Sequence, residues 1–222
     1  MIKFAFIFFI SLNLLGQNWI DYSEIIQIED TIYSKKNGLP YTGLITKSSD
    51  NSRIIFKARA VKGIYNGNYI RFFENGDTLE KGTYKNGKLH GDIYNYIKGN
   101  SALSTIAFCW LKTTFDEGIR NGKSESYYEN GNIYISTFYI NDEENGICSV
   151  NYSSGEIYAT GQFKAGIPSS EWFIYNKDKS INAVLRFYDG IVINCTGECS
   201  QISELKTDFN DLLLNLARLE LR

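Results

Sequence analysis

Residues 63–91 read GIYNGNYIRFFENGDTLEKGTYKNGKLHG, and their pattern decides the fold. From Gly67 to Glu74 the stretch carries Tyr69, Ile70, Phe72 and Phe73, side chains that suit a pleated, half-buried strand. Asn75-Gly76 follows, a pair that favours a type I′ turn because both central residues need positive φ. Thr78 to Lys85 then runs back, and Asn86-Gly87 turns the chain again. The expected unit is a β-hairpin that hands on to another hairpin.

The unit recurs. Gly43, Gly67 and Gly91 stand 24 residues apart, and the step resumes through Gly122, Gly146 and Ser170. GIRNGKSESYYENG from Gly118 matches GIYNGNYIRFFENG from Gly63 at an offset of 55, two periods plus seven residues. The extra seven residues are placed between Phe108 and Gly118, as an insertion near 109–117. In that alignment Ala60, Tyr84, Phe108, Tyr139, Phe163 and Phe187 form one column. Ser48, Phe72, Tyr96, Tyr127, Asn151 and Tyr175 form a second, and Ile55, Leu79, Leu103, Tyr134, Tyr158 and Asn182 a third. Side-by-side hairpins turn such columns into ladders across a sheet. The fold class expected is all-β: an elongated, open antiparallel sheet of about six tandem hairpins, spanning 43–190, with 17–42 as lead-in strands.

ENG followed by a G-x-Y/F-x-x-G return, as in ENGDTLEKGTYKNGKLHG and SSGEIYATGQFKAG, resembles the MORN-repeat family in its variant form. The resemblance covers about Gly38 to Gly190. It implies a sheet of successive hairpins acting as an interaction scaffold, and some bacterial relatives are labelled antitoxin-like. The first and last modules depart from the pattern, as end modules of repeat arrays do.

The flanks carry their own signals. Lys3 precedes the apolar run Phe4–Ile10, extended by Leu12, Leu14 and Leu15, with Gly16 before Gln17. This run is shorter than the roughly 20 residues of a membrane span and reads as a secretory signal peptide over 1–16. The expected protein is therefore exported, periplasmic or extracellular, with no integral span once mature. Export would expose Cys109, Cys148, Cys195 and Cys199 to an oxidising compartment. Gly197 lets NCTGEC close tightly, which favours Cys195–Cys199, with Cys109–Cys148 as the second bridge; four free buried thiols are the alternative. At the far end, Ile191–Asn194 reads as a last strand. In Gln201–Leu221, Ile202, Leu205, Phe209, Leu212, Leu213, Leu216 and Leu219 recur at helical spacing, as an amphipathic helix that caps the sheet.

Little in the chain points to chemistry. The formal charge of −2, from 23 Lys and Arg against 25 Asp and Glu, argues against a nucleic-acid partner. The one histidine, His90, falls in a turn, the carboxylate pairs also fall in turns, and the CxxxC has no second Cys or His pair to complete a zinc site. No cofactor and no metal are expected, and no enzymatic activity. What remains is binding of a protein partner in the cell envelope, or of a glycan through aromatic rows that include Trp172. Candidate binding residues are Trp110 and Phe115, as apolar groups on the inserted loop, with Tyr127, Tyr128 and Tyr152 on the aromatic face.

Overall fold

A computed structural model describes residues 19–98 and 107–199. The expected signal peptide and the expected capping helix fall outside these residues. The described chain forms β1 (Trp19–Asp21), β2 (Ile25–Ile28), β3 (Thr31–Ser34), β4 (Gly43–Ser48), β5 (Ile54–Val61) and β6 (Ile64–Phe72). It continues with β7 (Thr78–Lys85), β8 (Lys88–Leu89), β9 (Gly91–Lys98), β10 (Ala107–Asp116), β11 (Ile119–Tyr127) and β12 (Ile133–Ile140). The last strands are β13 (Glu143–Glu144), β14 (Gly146–Asn151), β15 (Ile157–Lys164), β16 (Ile167–Tyr175), β17 (Ile181–Tyr188) and β18 (Ile191–Gly197). One 3₁₀ turn, Tyr22–Glu24, interrupts the lead-in.

All but two strands join one sheet, ordered β1-β4-β5-β6-β7-β9-β10-β11-β12-β14-β15-β16-β17-β18, with β8 and β13 as short continuations paired to β7 and β12. Six hairpin modules supply the twelve strands from β4 to β17, as the period requires. The sheet is not wholly antiparallel, because β1 pairs parallel to β4. The separate hairpin β2–β3 joins β1 and the first module in a core of Ile20, Ile25, Ile32, Ile45 and Ala60. That second layer gives the first module the apolar cover that a lone hairpin lacks.

Turn chemistry differs from the sequence expectation. Type I′ geometry, with positive φ at both central residues, occurs between hairpins: Lys62-Gly63, Asn86-Gly87, Glu117-Gly118, Asn141-Asp142, Ala165-Gly166 and Asp189-Gly190. Asn75-Gly76 is a longer tip instead. Only Gly76 has positive φ there; Phe73 N–H donates to the Asp77 carbonyl and Gly76 N–H to the Phe73 carbonyl. The Asn75 side chain accepts from Asp77 N–H at 3.2 Å, so its preference is spent on an Asx contact rather than on αL backbone.

The register also moves the insertion. The leading residue of each module pairs with one residue of the return strand: Gly43 with Ala60, Gly67 with Tyr84, Gly91 with Phe115, Gly122 with Tyr139, Gly146 with Phe163, Ser170 with Phe187. The third member of that column is Phe115, not Phe108. Residues 109–116 are therefore ordinary repeat strand, not an inserted loop. The extra residues lie earlier, at the tip of the third hairpin, whose ladder runs on to Lys98 paired with Ala107. With this shift Trp110 takes the place given to Leu103, in line with Leu79 and Tyr134.

Two positions test this arrangement, the leading residue Ser170 and Gly161 on the return strand β15. Ser170 keeps φ at +63° although it has a Cβ, and the left-handed region costs a non-glycine residue roughly 1–2 kcal/mol. Gly161 lies under the Trp172 indole, where an added Cβ would collide with the ring. Ser170→Gly should stabilise the chain by about 1 kcal/mol, and Gly161→Ala should destabilise it by about 1–3 kcal/mol through overpacking, both read by chemical denaturation. Solution scattering should show an extended particle. A path of fourteen paired strands at about 4.8 Å spacing is roughly 60 Å long, and a radius of gyration near the ~17 Å of a compact chain of this length would refute the open array.

Candidate functional site

The two faces of the sheet differ in kind. On one, Ala58, Tyr69, Ile93, Thr113, Ser124, Thr137, Cys148, Trp172 and Leu185 are all buried and follow one another across neighbouring strands. Alternation then puts the residues between them on the opposite, open face.

The buried face is built by fitting large side chains beside absent ones. Tyr69 and Ile93 flank Gly82, and Trp172 covers Gly161. Trp172 packs edge-on against Phe163 and Phe187 within a cluster that includes Val150, Ile174 and Leu185. Between the two apolar ends runs a hydroxyl stretch in which Thr113 and Ser124 share a hydrogen bond of 2.8 Å, and Thr137 lies against the Cys148 thiol.

Most of the expected binding residues serve this face. Phe115 packs against the cluster of Ala58, Tyr69 and Ile93. Tyr128 packs its ring against Tyr134 and donates its hydroxyl to the Asn151 carbonyl at 2.7 Å. Tyr152, buried, does the same one module on, against Tyr158 and to the Tyr175 carbonyl at 2.8 Å. These tyrosines are struts between modules. Trp172, the candidate for stacking on sugar, is 1% exposed. Trp110 and Tyr127 remain accessible. Trp110 occupies the β10 bulge and is exposed; Tyr127 is half-buried and donates to Glu125 at 3.0 Å, so burial and that carboxylate raise its pKa.

The open face holds what sequence reading missed. One continuous row of strand partners runs Lys57, Ile70, Lys81, Tyr94, Lys112, Glu125, Ser136, Ser149, Thr160, Phe173, Val184. Lys81 lies over Tyr94 and Tyr96, and the Tyr96 hydroxyl raises its pKa. Lys112 reaches Asp92 at 2.8 Å; that lysine, then Thr114, holds the Asp92 carboxyl below its usual range. Farther along, Phe138 and Ile147 are exposed on neighbouring strands, and shallow depressions border them, one lined by Ile147, Thr160, Gln162, Glu171 and Phe173. The signal was present in the sequence as the spacing of Lys57, Lys81 and Lys112, hidden by the misplaced insertion.

His90 Nδ1 lies 3.1 Å from Asp116 Oδ1, at the break between β8 and β9. Among the described residues no cluster of His, Cys, Asp and Glu could hold a metal ion, and no helix is long and apolar enough to cross a membrane.

The cysteines divide. Cys195 and Cys199 are bridged, while Cys109 and Cys148 are free. The expected Cys109–Cys148 bridge is excluded by the strand order. β11 and β12 lie between β10 and β14, about 14 Å at sheet spacing, well beyond the ~7 Å Cα reach of a disulfide. Burial pushes the Cys148 thiol up to about 12 and raises that of Cys109.

Two segments of the chain are similar to a known repeat family. The MORN repeat variant description matches residues 65–86 and 120–141, the same portion of modules two and four. No curated protein matches the chain. Among solved structures, a chain in the crystal structure of a GtfA/B complex bound to UDP and GlcNAc aligns at 11% identity with a TM-score of 0.21. That alignment covers 64% of this chain and 24% of the other.

Non-reducing peptide mapping should find Cys195 linked to Cys199. Alkylation of folded protein should label Cys109 slowly and leave Cys148 unlabelled until denaturant is added. A Cys109–Cys148 linked peptide from monomeric protein would contradict the strand order.

Proposed function

We propose that this MORN-repeat chain is a non-catalytic, exported scaffold that holds a protein partner in the cell envelope on its open sheet face. The observation that carries the reading is the inequality of the faces. One face is consumed by self-packing, while the other presents a continuous row of side chains with Phe138, 44% exposed, beside Ile147, 68% exposed. Adjacent large apolar groups on a rigid sheet, rimmed by Lys123, Gln162 and the Glu171–Arg186 ion pair, have the make-up of a contact surface with an apolar centre and a polar rim. Tyr127, next on the same face after Glu125, extends it toward the third hairpin. Export is supported by the Cys195–Cys199 bridge, of a kind that persists in oxidising compartments, together with the leader-like run of residues 1–16. An immunity-type role fits the same arrangement, since a broad, rigid face can occlude a partner's own site.

Glycan binding has less support. Sugar stacking needs open aromatic faces, whereas Trp172 is buried and Tyr94 is covered by Lys81 and Lys112.

The test is capture of a partner from the envelope fraction, with identification by mass spectrometry. Phe138→Ser with Ile147→Ser should lower the captured amount at least about tenfold, while the melting temperature moves by less than ~2 °C, as surface substitutions do. Capture by the double variant at the wild-type level, or no specific capture by the wild type, would refute the reading.

A further inference from the structure

The first half of the open row is cationic and evenly spaced. Lys57, Lys81 and Lys112 occupy alternate strands, linked through Ile70 and Tyr94, so neighbours are two strand spacings apart, about 9.6 Å. Each ammonium lies over a ring: Lys57 is 5.9 Å from the Phe72 centroid, Lys81 is 5.2 Å from Tyr94 and 5.5 Å from Tyr96, and Lys112 is 5.6 Å from Tyr94. The rings hold these long side chains in place, which reduces the entropy lost when a ligand fixes them. Lys57 and Lys81 have no carboxylate partner among the described residues, and exposed Arg59 adds charge one row away. Past Lys112 the row turns to Glu125, Ser136 and Ser149. The cationic stretch therefore has a definite end.

We propose that this lysine ladder docks an acidic segment of the protein partner, held in polyproline II conformation with a carboxylate at every third residue; the proposal rests on the partner-binding reading above. Polyproline II has three residues per turn at about 3.1 Å each, so residues three apart lie on one side about 9.3 Å from one another. That repeat matches the lysine spacing. A β-strand does not, because it returns to the same side after about 6.7 Å. The ligand pairs its carboxylates with Lys57, Lys81 and Lys112, displacing Asp92 from the last. At a partly exposed surface such pairs give modest, salt-sensitive affinity.

The test uses labelled peptides and fluorescence anisotropy with the full chain: one of about five Glu-Pro-Pro repeats, its Gln-Pro-Pro counterpart, and a third with the same composition but its glutamates grouped at one end. The spaced acidic peptide should bind at least about tenfold tighter than either control at low salt and weaken sharply at roughly 0.5 M salt. Combining Lys57→Gln, Lys81→Gln and Lys112→Gln should remove that preference with the melting temperature nearly unchanged. Equal binding of spaced and grouped peptides, or no effect of the triple variant, overturns the proposal. So does binding of polygalacturonate through these lysines when the spaced peptide does not bind, which would assign the face to an acidic polysaccharide. The same triple variant in the capture assay separates the two readings: full capture overturns the ladder alone, whereas absence of capture by the wild type overturns the scaffold.

Discussion

One backbone hydrogen bond, made five times, sets the repeat. In five of the six type I′ turns the second residue donates its N–H to a carbonyl just beyond the preceding turn: Gly63 to Tyr41, Gly87 to Tyr65, Gly118 to Leu89, Asp142 to Arg120 and Gly166 to Glu144, at 2.7–2.9 Å. A type I′ turn aims this N–H outward from its own hairpin, so a neighbour that lies at the right distance satisfies it. The array is thereby stitched along its turn edge. Any change of length in a module must appear at the other edge, and that is where it is found: the third hairpin alone is extended at its tip, while Gly118 keeps its bond to Leu89. Ser170 obeys the same constraint. Where the glycine is lost, the stitched neighbours still impose positive φ.

Those stitches leave the middle of the sheet to side-chain volume. A single sheet can bury one face only if neighbouring rows cover each other, and here the rows alternate large with small. Tyr69 and Ile93 close over Gly82, and Trp172 over Gly161, so each glycine is as much a part of the core as the ring beside it. The hydroxyls of Thr113, Ser124 and Thr137 divide this packing into two apolar clusters. Thr113 and Ser124 satisfy each other, whereas the buried Thr137 hydroxyl has no oxygen or nitrogen partner and lies against the Cys148 thiol.

The periodic glycines, the hairpins, the six modules and the Cys195–Cys199 bridge were legible because each rests on local chemistry: φ preference, alternation, or a loop of five residues. What was misread depends on register between strands. Placing the seven extra residues after Phe108 made Trp110 and Phe115 look like loop anchors. Aligning Lys81-Gly82-Thr83-Tyr84 with Lys112-Thr113-Thr114-Phe115 places Phe115 in the ladder and Trp110 at the bulge of the same strand, and those residues were in plain view. Cys109–Cys148 failed for a related reason, since pairing by elimination ignores the two strands between them. Tyr127 and Tyr128 are adjacent in sequence but divide between open face and inter-module strut, a difference that only the hairpin end decides.

The division of labour between faces bears on where function resides. On the buried face a residue's identity is fixed by its neighbours' volumes, so Gly161 and Trp172 explain each other fully. Along the open row the same structural position holds Lys57, Lys81, Lys112, Ser136, Thr160 and Val184, on strands of closely similar geometry. Lysine, serine, threonine and valine all satisfy the backbone there, so the fold does not demand a cation at any of them. Three ammonium groups gathered at one end, each laid on an aromatic ring, raise local positive potential in a chain whose formal charge is −2. Like charges so arranged repel and contribute nothing to the core. A ligand of opposite charge relieves that repulsion. The open face of modules one to three is therefore the part of the molecule whose composition folding leaves unexplained and binding would explain.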